Sequence, residues 1–297
     1  YTKEISIIDV ENDVSKLQLQ DFSLYSTADV YNYCLSRNEN TDVELVLRLY
    51  CASELLARDD LSKSISEYAI RLYNRSLYSL LKMNESEQET RSNIIIVKNI
   101  SNQFIYSEEM NALESRLQPK IFGDLGVPIV TTRANTATGL DLYYPLEGVF
   151  QSESMIASEV KIKNEAYYIT IESIPLIDTN KLITFGDQSY SLRHSQGSAF
   201  LGLIEKATID DFSWLGFVSP TQAEKRRGVF AIGKIDKNKT PLFMIHGLNS
   251  DPLIWRYLTM ALLNEPILTQ KLQIFHIYYP SGAPPFYTAM RTRDNLK

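Results

Sequence analysis

Only two cysteines, Cys34 and Cys51, occur among the 297 residues. So small a count supports neither a disulfide framework nor a metal knuckle, and buried free thiols are the expectation. Histidine is almost as scarce. No two of His194, His246 and His276 stand at ligand spacing, and no His-Glu pair marks a zinc helix, so no metal and no cofactor is expected. An excess of positive charge is also missing. Thirty Lys and Arg against thirty-six Asp and Glu give a net charge of -6, the wrong sign for displacing counterions from a phosphate backbone, which argues against a nucleic-acid partner. No apolar run reaches the ~18 to 20 residues that a membrane helix needs, so no membrane span is expected. The 12 glycines and 11 prolines are scattered rather than clustered, which argues against fibrous repeats and wholesale disorder.

What is present is ordinary globular material, 44% hydrophobic and 22% charged, in a chain long enough for about two domains at roughly 100 to 200 residues each. The first residue is Tyr1 rather than Met, which suggests that an initiator, with or without a targeting segment, has been removed. Asn-x-Ser/Thr matches begin at Asn74, Asn84, Asn99 and Asn238. A chain this rich in Asn and Ser produces them by chance, so they carry no weight.

Three textures divide the chain: a helical extension over 1–90, a mixed β-rich region over 91–204, and an α/β segment over 205–297. In the first, Val46, Leu49, Ala52 and Leu56, and then Ile65, Ala69, Leu72, Leu77 and Leu81, recur at spacings of three to five and predict a helical hairpin. Asp59 and Asp60 stand where the second helix needs an N-cap. The polar stretch Asn84 to Ser92 is the best boundary. Beyond it Ile94 to Val97, Val127 to Thr132, Tyr167 to Ile174, Leu182 to Phe185 and Val229 to Ile235 are short and rich in branched residues, as strands are. Short helices are expected over Gln103 to Leu117 and Ser198 to Ala207. Finally Pro241 to Ile245 and Leu272 to Tyr279 read as strands buried on both faces. An amphipathic helix lies between them, capped by Asp251 with Pro252 at its first position. Strand, helix and strand at this spacing predict a right-handed parallel crossover, the opening of an open α/β sheet.

The turn of that unit is His246-Gly247-Leu248-Asn249-Ser250-Asp251-Pro252, followed by Trp255 and by a second strand ending in Tyr279-Pro280-Ser281-Gly282. This pattern, covering about Thr240 to Lys297, resembles the oxyanion-loop region of α/β-hydrolases, in particular bacterial esterase-like and lipase-like members with long N-terminal extensions. Gly126-Val-Pro-Ile129 and Tyr144-Pro-Leu-Glu-Gly148 resemble the extended members more faintly. The resemblance implies that the Leu248 N–H stabilises the oxyanion of an ester or acyl-lipid substrate. Gly247 would keep the approach open, His246 would shape the loop, and Asn249 and Ser250 would line the pocket mouth. It also implies a nucleophile-bearing strand between the two strands of the crossover, and residence in the cell envelope or periplasm.

The family's Gly-x-Ser-x-Gly nucleophile elbow is not in this sequence, since none of the twelve glycines has Ser two residues later. The chain therefore reads as the N-terminal portion of a serine hydrolase, inactive alone, with nucleophile, acid and base in a C-terminal remainder beyond Lys297. The rival reading is a non-catalytic scaffold in which the helical hairpin engages a partner and the sheet is only architecture. Gly228-Val-Phe-Ala-Ile-Gly233-Lys234 imitates a phosphate loop, but Ile235 stands where Ser or Thr should hold magnesium, and the interior is strand-forming. Lys225-Arg226-Arg227 reads as a solvated charge run. His276, between Phe275 and Ile277, reads as a hydrogen-bonded core histidine, and His194 has no partner nearby in sequence.

Overall fold

A computed structural model describes residues 21–38, 41–83, 94–99, 103–163, 166–176, 181–206, 227–247, 250–280 and 284–295. The boundary stretch at Asn84 to Ser92, Lys225 and Arg226, and the sequence positions Leu248 and Asn249 lie outside the described residues. Helices combined with mixed and antiparallel sheets place the chain in the α/β class in its broad sense. Among the described residues no helix is long and apolar enough to cross a membrane.

Three helices open the described chain: α1 Thr27–Ser36, α2 Asp42–Leu56 and α3 Lys63–Met83. Ser26 and Asp29 form a reciprocal capping box on α1, and the Thr41 hydroxyl accepts the Glu44 N–H at 3.2 Å on α2. The expected cap of α3 moves. Ser62 Oγ accepts the Ile65 N–H at 3.4 Å, while Asp59 accepts from Gln188 and Asp60 from Thr27. Both aspartates are thus spent on tying the α2–α3 link to its neighbours. The apolar stripes fall as the periodicity predicts, with Val46, Leu49, Ala52, Leu56, Ala69, Leu77 and Leu81 fully buried.

The cysteines are not free thiols. Helices α1 and α2 bring Cys34 and Cys51 face to face, with Cα atoms 5.8 Å apart, and the two are joined in a disulfide. Cysteines 17 residues apart on separate helices leave no spacing signature, so only the packing of one helix on the other could reveal the pair. Because the bond removes loop-closure entropy from the unfolded chain, Cys51→Ser should lower stability by about 3 kcal/mol. Unfolding with and without dithiothreitol checks this, and the variant should match the reduced parent.

Five strands form the first sheet: β1 Ile94–Asn99, β2 Gln103–Tyr106, β3 Val127–Arg133, β4 Val149–Lys163 and β5 Ala166–Pro175. Their order is β1-β5-β4-β3-β2, with β1 parallel to β5 and every other pair antiparallel. The region 103–117 is therefore not a helix. It supplies the edge strand β2 and two single 3-10 turns, because Phe104 and Tyr106 pack edge to face along a strand rather than along a helical stripe. The hairpin β6 Leu182–Phe185 and β7 Gln188–Ser191 follows.

Helices α1 to α3 share one apolar core with this sheet. The fully buried Tyr73 hydroxyl on α3 donates to the Ala157 carbonyl at 3.0 Å and accepts its N–H at 2.9 Å. Asn74, next to it, donates to the Asp124 carbonyl at 2.7 Å and accepts the Gly126 N–H at 2.9 Å. An amide so engaged is a bolt between helix and sheet, not a surface acceptor for glycan.

Helix α4, Gln196–Lys206, bridges to a second sheet of β8 Gly228–Ala231, β9 Thr240–Ile245 and β10 Leu272–Tyr278, in the order β8-β10-β9. Strands β9 and β10 are parallel, Thr240 lying opposite Leu272 and Ile245 opposite Ile277, while β8 runs antiparallel to β10. The first four residues of the phosphate-loop imitation are thus a paired strand, with alternate N–H groups spent on β10. Between β9 and β10 lie a 3-10 turn at Pro252–Trp255, α5 Arg256–Leu263 and α6 Pro266–Lys271; α7 Pro285–Asn295 follows β10.

Two expectations change here. Strand β10 is central and buried, but β9 is an edge strand among the described residues, with Phe243 40% and Ile245 53% exposed. No strand lies between β9 and β10, which pair directly; among the described residues the sheet is open at the outer edges of β9 and β8. An apolar edge of this kind pairs with other edges unless something covers it. Residues 1–297 expressed alone should therefore self-associate, and Phe243→Lys should suppress it. Size-exclusion chromatography of both decides, and a parent that stays monomeric with a sharp unfolding transition would contradict the open-edge account.

Candidate functional site

The C-terminal ends of β9 and β10 meet at the His246 turn, at the sheet edge where ligands bind in open α/β folds. His246 follows β9 directly, its buried ring stacked on Tyr279 with centroids 4.2 Å apart and planes 10° apart. Tyr279 comes straight after β10, so the parallel register of the strands sets the two rings side by side. The Tyr279 N–H donates to Nε2 at 3.3 Å, which leaves the ring proton on Nδ1, donating to the Gly247 carbonyl at 3.0 Å. The Tyr279 hydroxyl returns a bond to the His246 carbonyl at 2.6 Å.

Burial holds the His246 pKa below its ordinary value, against the opposing pull of the Gly247 carbonyl and the Asp251 carboxylate. A neutral imidazole with both nitrogens engaged by main chain braces a turn rather than moving a proton. Tyr279 was visible in the sequence only as the end of a strand. Its partnership with His246 needs the register, which sequence spacing does not carry.

Gly247 itself is exposed. Among the described residues a Cβ added there meets nothing within 4 Å, and its φ lies outside the left-handed region. Glycine is thus not demanded by the described backbone at this position, and what it leaves among the described residues is open space. Ser250 is half-buried and contacts the Asp251 carbonyl at 3.5 Å. Asp251 caps the next turn as its sequence predicts, accepting the Leu253 N–H at 2.7 Å with Pro252 behind it, although that turn is 3-10 and α5 begins only at Arg256.

The other histidines lie elsewhere. His194 is buried between the first sheet and α4, with Nδ1 2.8 Å from the Leu192 carbonyl. His276 is 4% exposed, and its Nε2 lies 2.7 Å from the Thr259 hydroxyl on α5. Burial lowers its pKa to about 4, so it is neutral near pH 7. Among the described residues no group of three His, Cys, Asp or Glu is placed to hold a metal ion.

Beside the turn lies a pocket of about 270 Å³ that the sequence did not announce. Asp251, Pro252 and Leu253 form its border with the turn, α4 supplies Leu203 and Ile204, and the sheet supplies Phe230, His276 and Tyr278. The remaining wall is the loop 135–147. Asp141 organises that loop by accepting both ends of the Arg133 guanidinium at 2.7 Å and the Thr136 N–H at 3.0 Å, bonds that hold its carboxyl well below the usual range. Asn135 ties the loop shut through the carbonyls of Asp141, Tyr144 and Pro145. Compared with known families, curated proteins and solved structures, the chain matches no family model, no curated protein and no solved structure.

Proposed function

We propose that this chain is the N-terminal portion of a serine hydrolase of esterase or lipase type, whose His246 turn provides the oxyanion site. The observation that carries the reading is the turn itself. His246 and Gly247 stand at the carboxyl edge of a parallel pair, braced by the His246–Tyr279 stack and, among the described residues, open at Gly247.

In acyl transfer the carbonyl oxygen gains negative charge as the nucleophile adds. An N–H held rigidly at the turn stabilises that charge without reorganising, and the Leu248 N–H is the donor in this reading. The nucleophilic Ser, the His that takes its proton and the acid that orients that His come from the C-terminal remainder of the polypeptide. The open outer edge of β9 is where the strand leading to the nucleophile adds, with Phe243 and Ile245 covered by its helices. Oxidising compartments preserve disulfides, so the Cys34–Cys51 bond supports residence in the cell envelope or periplasm.

Residues 1–297 alone should hydrolyse no p-nitrophenyl ester, whereas the polypeptide extended past Lys297 through a Gly-x-Ser-x-Gly elbow should. Turnover by 1–297 that a single substitution within it abolishes would contradict the reading. An extension without the elbow would favour the scaffold role.

A further inference from the structure

The pocket beside the turn has a chemistry of its own. Its volume of about 270 Å³ is nearly twice that of an apolar cavity that takes one benzene, ~150 Å³, which corresponds to a single chain of roughly ten carbons. Leu203, Ile204, Phe230 and Tyr278 give it a largely apolar lining. Charge at the lining does not favour an anion. The lining carries Asp141, which is paired to Arg133, together with Glu147, Asp251 and Arg227, so acidic groups outnumber basic ones.

Besides the paired Asp141, the lining includes the buried His276. The His276 Nε2 is held by Thr259, whose hydroxyl also lies 3.5 Å from the Met244 sulfur. Among the described residues Nδ1 has no hydrogen-bond partner, although His276 is buried and lines the pocket. With the Thr259 proton directed at sulfur, Nε2 donates to Thr259 and Nδ1 is left as an acceptor.

We propose that this pocket binds a neutral single-chain amphiphile of roughly ten carbons, whose hydroxyl bonds to His276 Nδ1. The inference goes beyond the hydrolase reading and does not need it, because binding requires no nucleophile. The walls supply the apolar burial, the acidic excess of the lining disfavours a carboxylate head, and the histidine orients the head group. Half of the enclosure comes from α4 and the loop 135–147, so the preceding region has a role in binding as well as in support.

Displacement of Nile red from the full polypeptide tests this, with decan-1-ol and decanoate as competitors. Decan-1-ol should displace the dye at about tenfold lower concentration than decanoate. Leu203→Trp, which fills the pocket, should weaken decan-1-ol binding at least about tenfold, and His276→Phe should weaken it by roughly three- to tenfold, the loss of one hydrogen bond. Circular dichroism checks that each variant folds; Ile204→Trp replaces Leu203→Trp if the latter does not. Absence of dye binding, equal or tighter binding of decanoate, undiminished binding by the folded filled variant, or no change in His276→Phe would each overturn the proposal. Ester hydrolysis is not a readout here, so binding that persists in a protein without hydrolase activity contradicts only the catalytic reading.

Discussion

Gly247→Val in the polypeptide extended past Lys297 should acylate roughly 10²- to 10³-fold more slowly than the parent, the usual effect of losing one oxyanion donor, while unfolding at the same temperature. The two halves of this expectation have separate causes. Among the described residues a Cβ at 247 meets no atom within 4 Å, and the position needs no left-handed backbone, so little loss of stability is expected. In the proposed reading the same open space is the approach to the oxyanion site, so a branched side chain there would crowd the substrate carbonyl. Burst kinetics with an activated ester and a thermal melt measure both halves. A folded variant with full acylation rate would show that the Leu248 N–H is not the donor.

Acid should destabilise the protein well before its carboxylates protonate. His276 has a folded pKa of about 4 because burial disfavours its charged form, against an ordinary value of about 6.5. Between those two values the unfolded chain binds a proton that the folded one refuses. Stability is therefore full above pH 6.5 and falls as pH drops toward 4. A gap of this size corresponds to about 3 kcal/mol. His194 and His246, also lowered by burial, add in the same direction. Asp141, whose folded pKa is depressed by Arg133 and Thr136, loses its contribution only below its ordinary value of 3.8, so the two windows separate. Urea midpoints at pH 7.5 and pH 4.5 should differ strongly in the parent and clearly less in His276→Gln, an amide that can still bond Thr259. Equal differences in both would remove His276 as the cause.

The parts of this fold that the sequence discloses are those in which one periodic signal decides. The stripes of α2 and α3, the crossover from β9 to β10 and the Asp251–Pro252 cap follow from local spacing alone. The longest strand, β4, is illegible because Ser152, Glu153 and Ser154 are buried together, and the β-bulge at Ala157 and Glu159 breaks the alternation. Glu153 tolerates that burial by accepting hydroxyl donors from Thr131 and Ser173, partners about twenty residues away on either side. Strand β9 misleads in the opposite sense: a continuous apolar run also describes an edge strand with exposed Phe243 and Ile245. At the site, the His-Gly turn is readable, whereas the Tyr279 brace and the His276 pocket depend on strand register and on a loop from another sheet.

A fluorophosphonate probe applied to the extended polypeptide tests the central claim most directly. The hydrolase account predicts that a single serine beyond Lys297, within Gly-x-Ser-x-Gly, becomes covalently labelled, and that Gly247→Val slows labelling as it slows acylation. Labelling of a serine within residues 1–297, or no labelling of a folded extended protein, would contradict it.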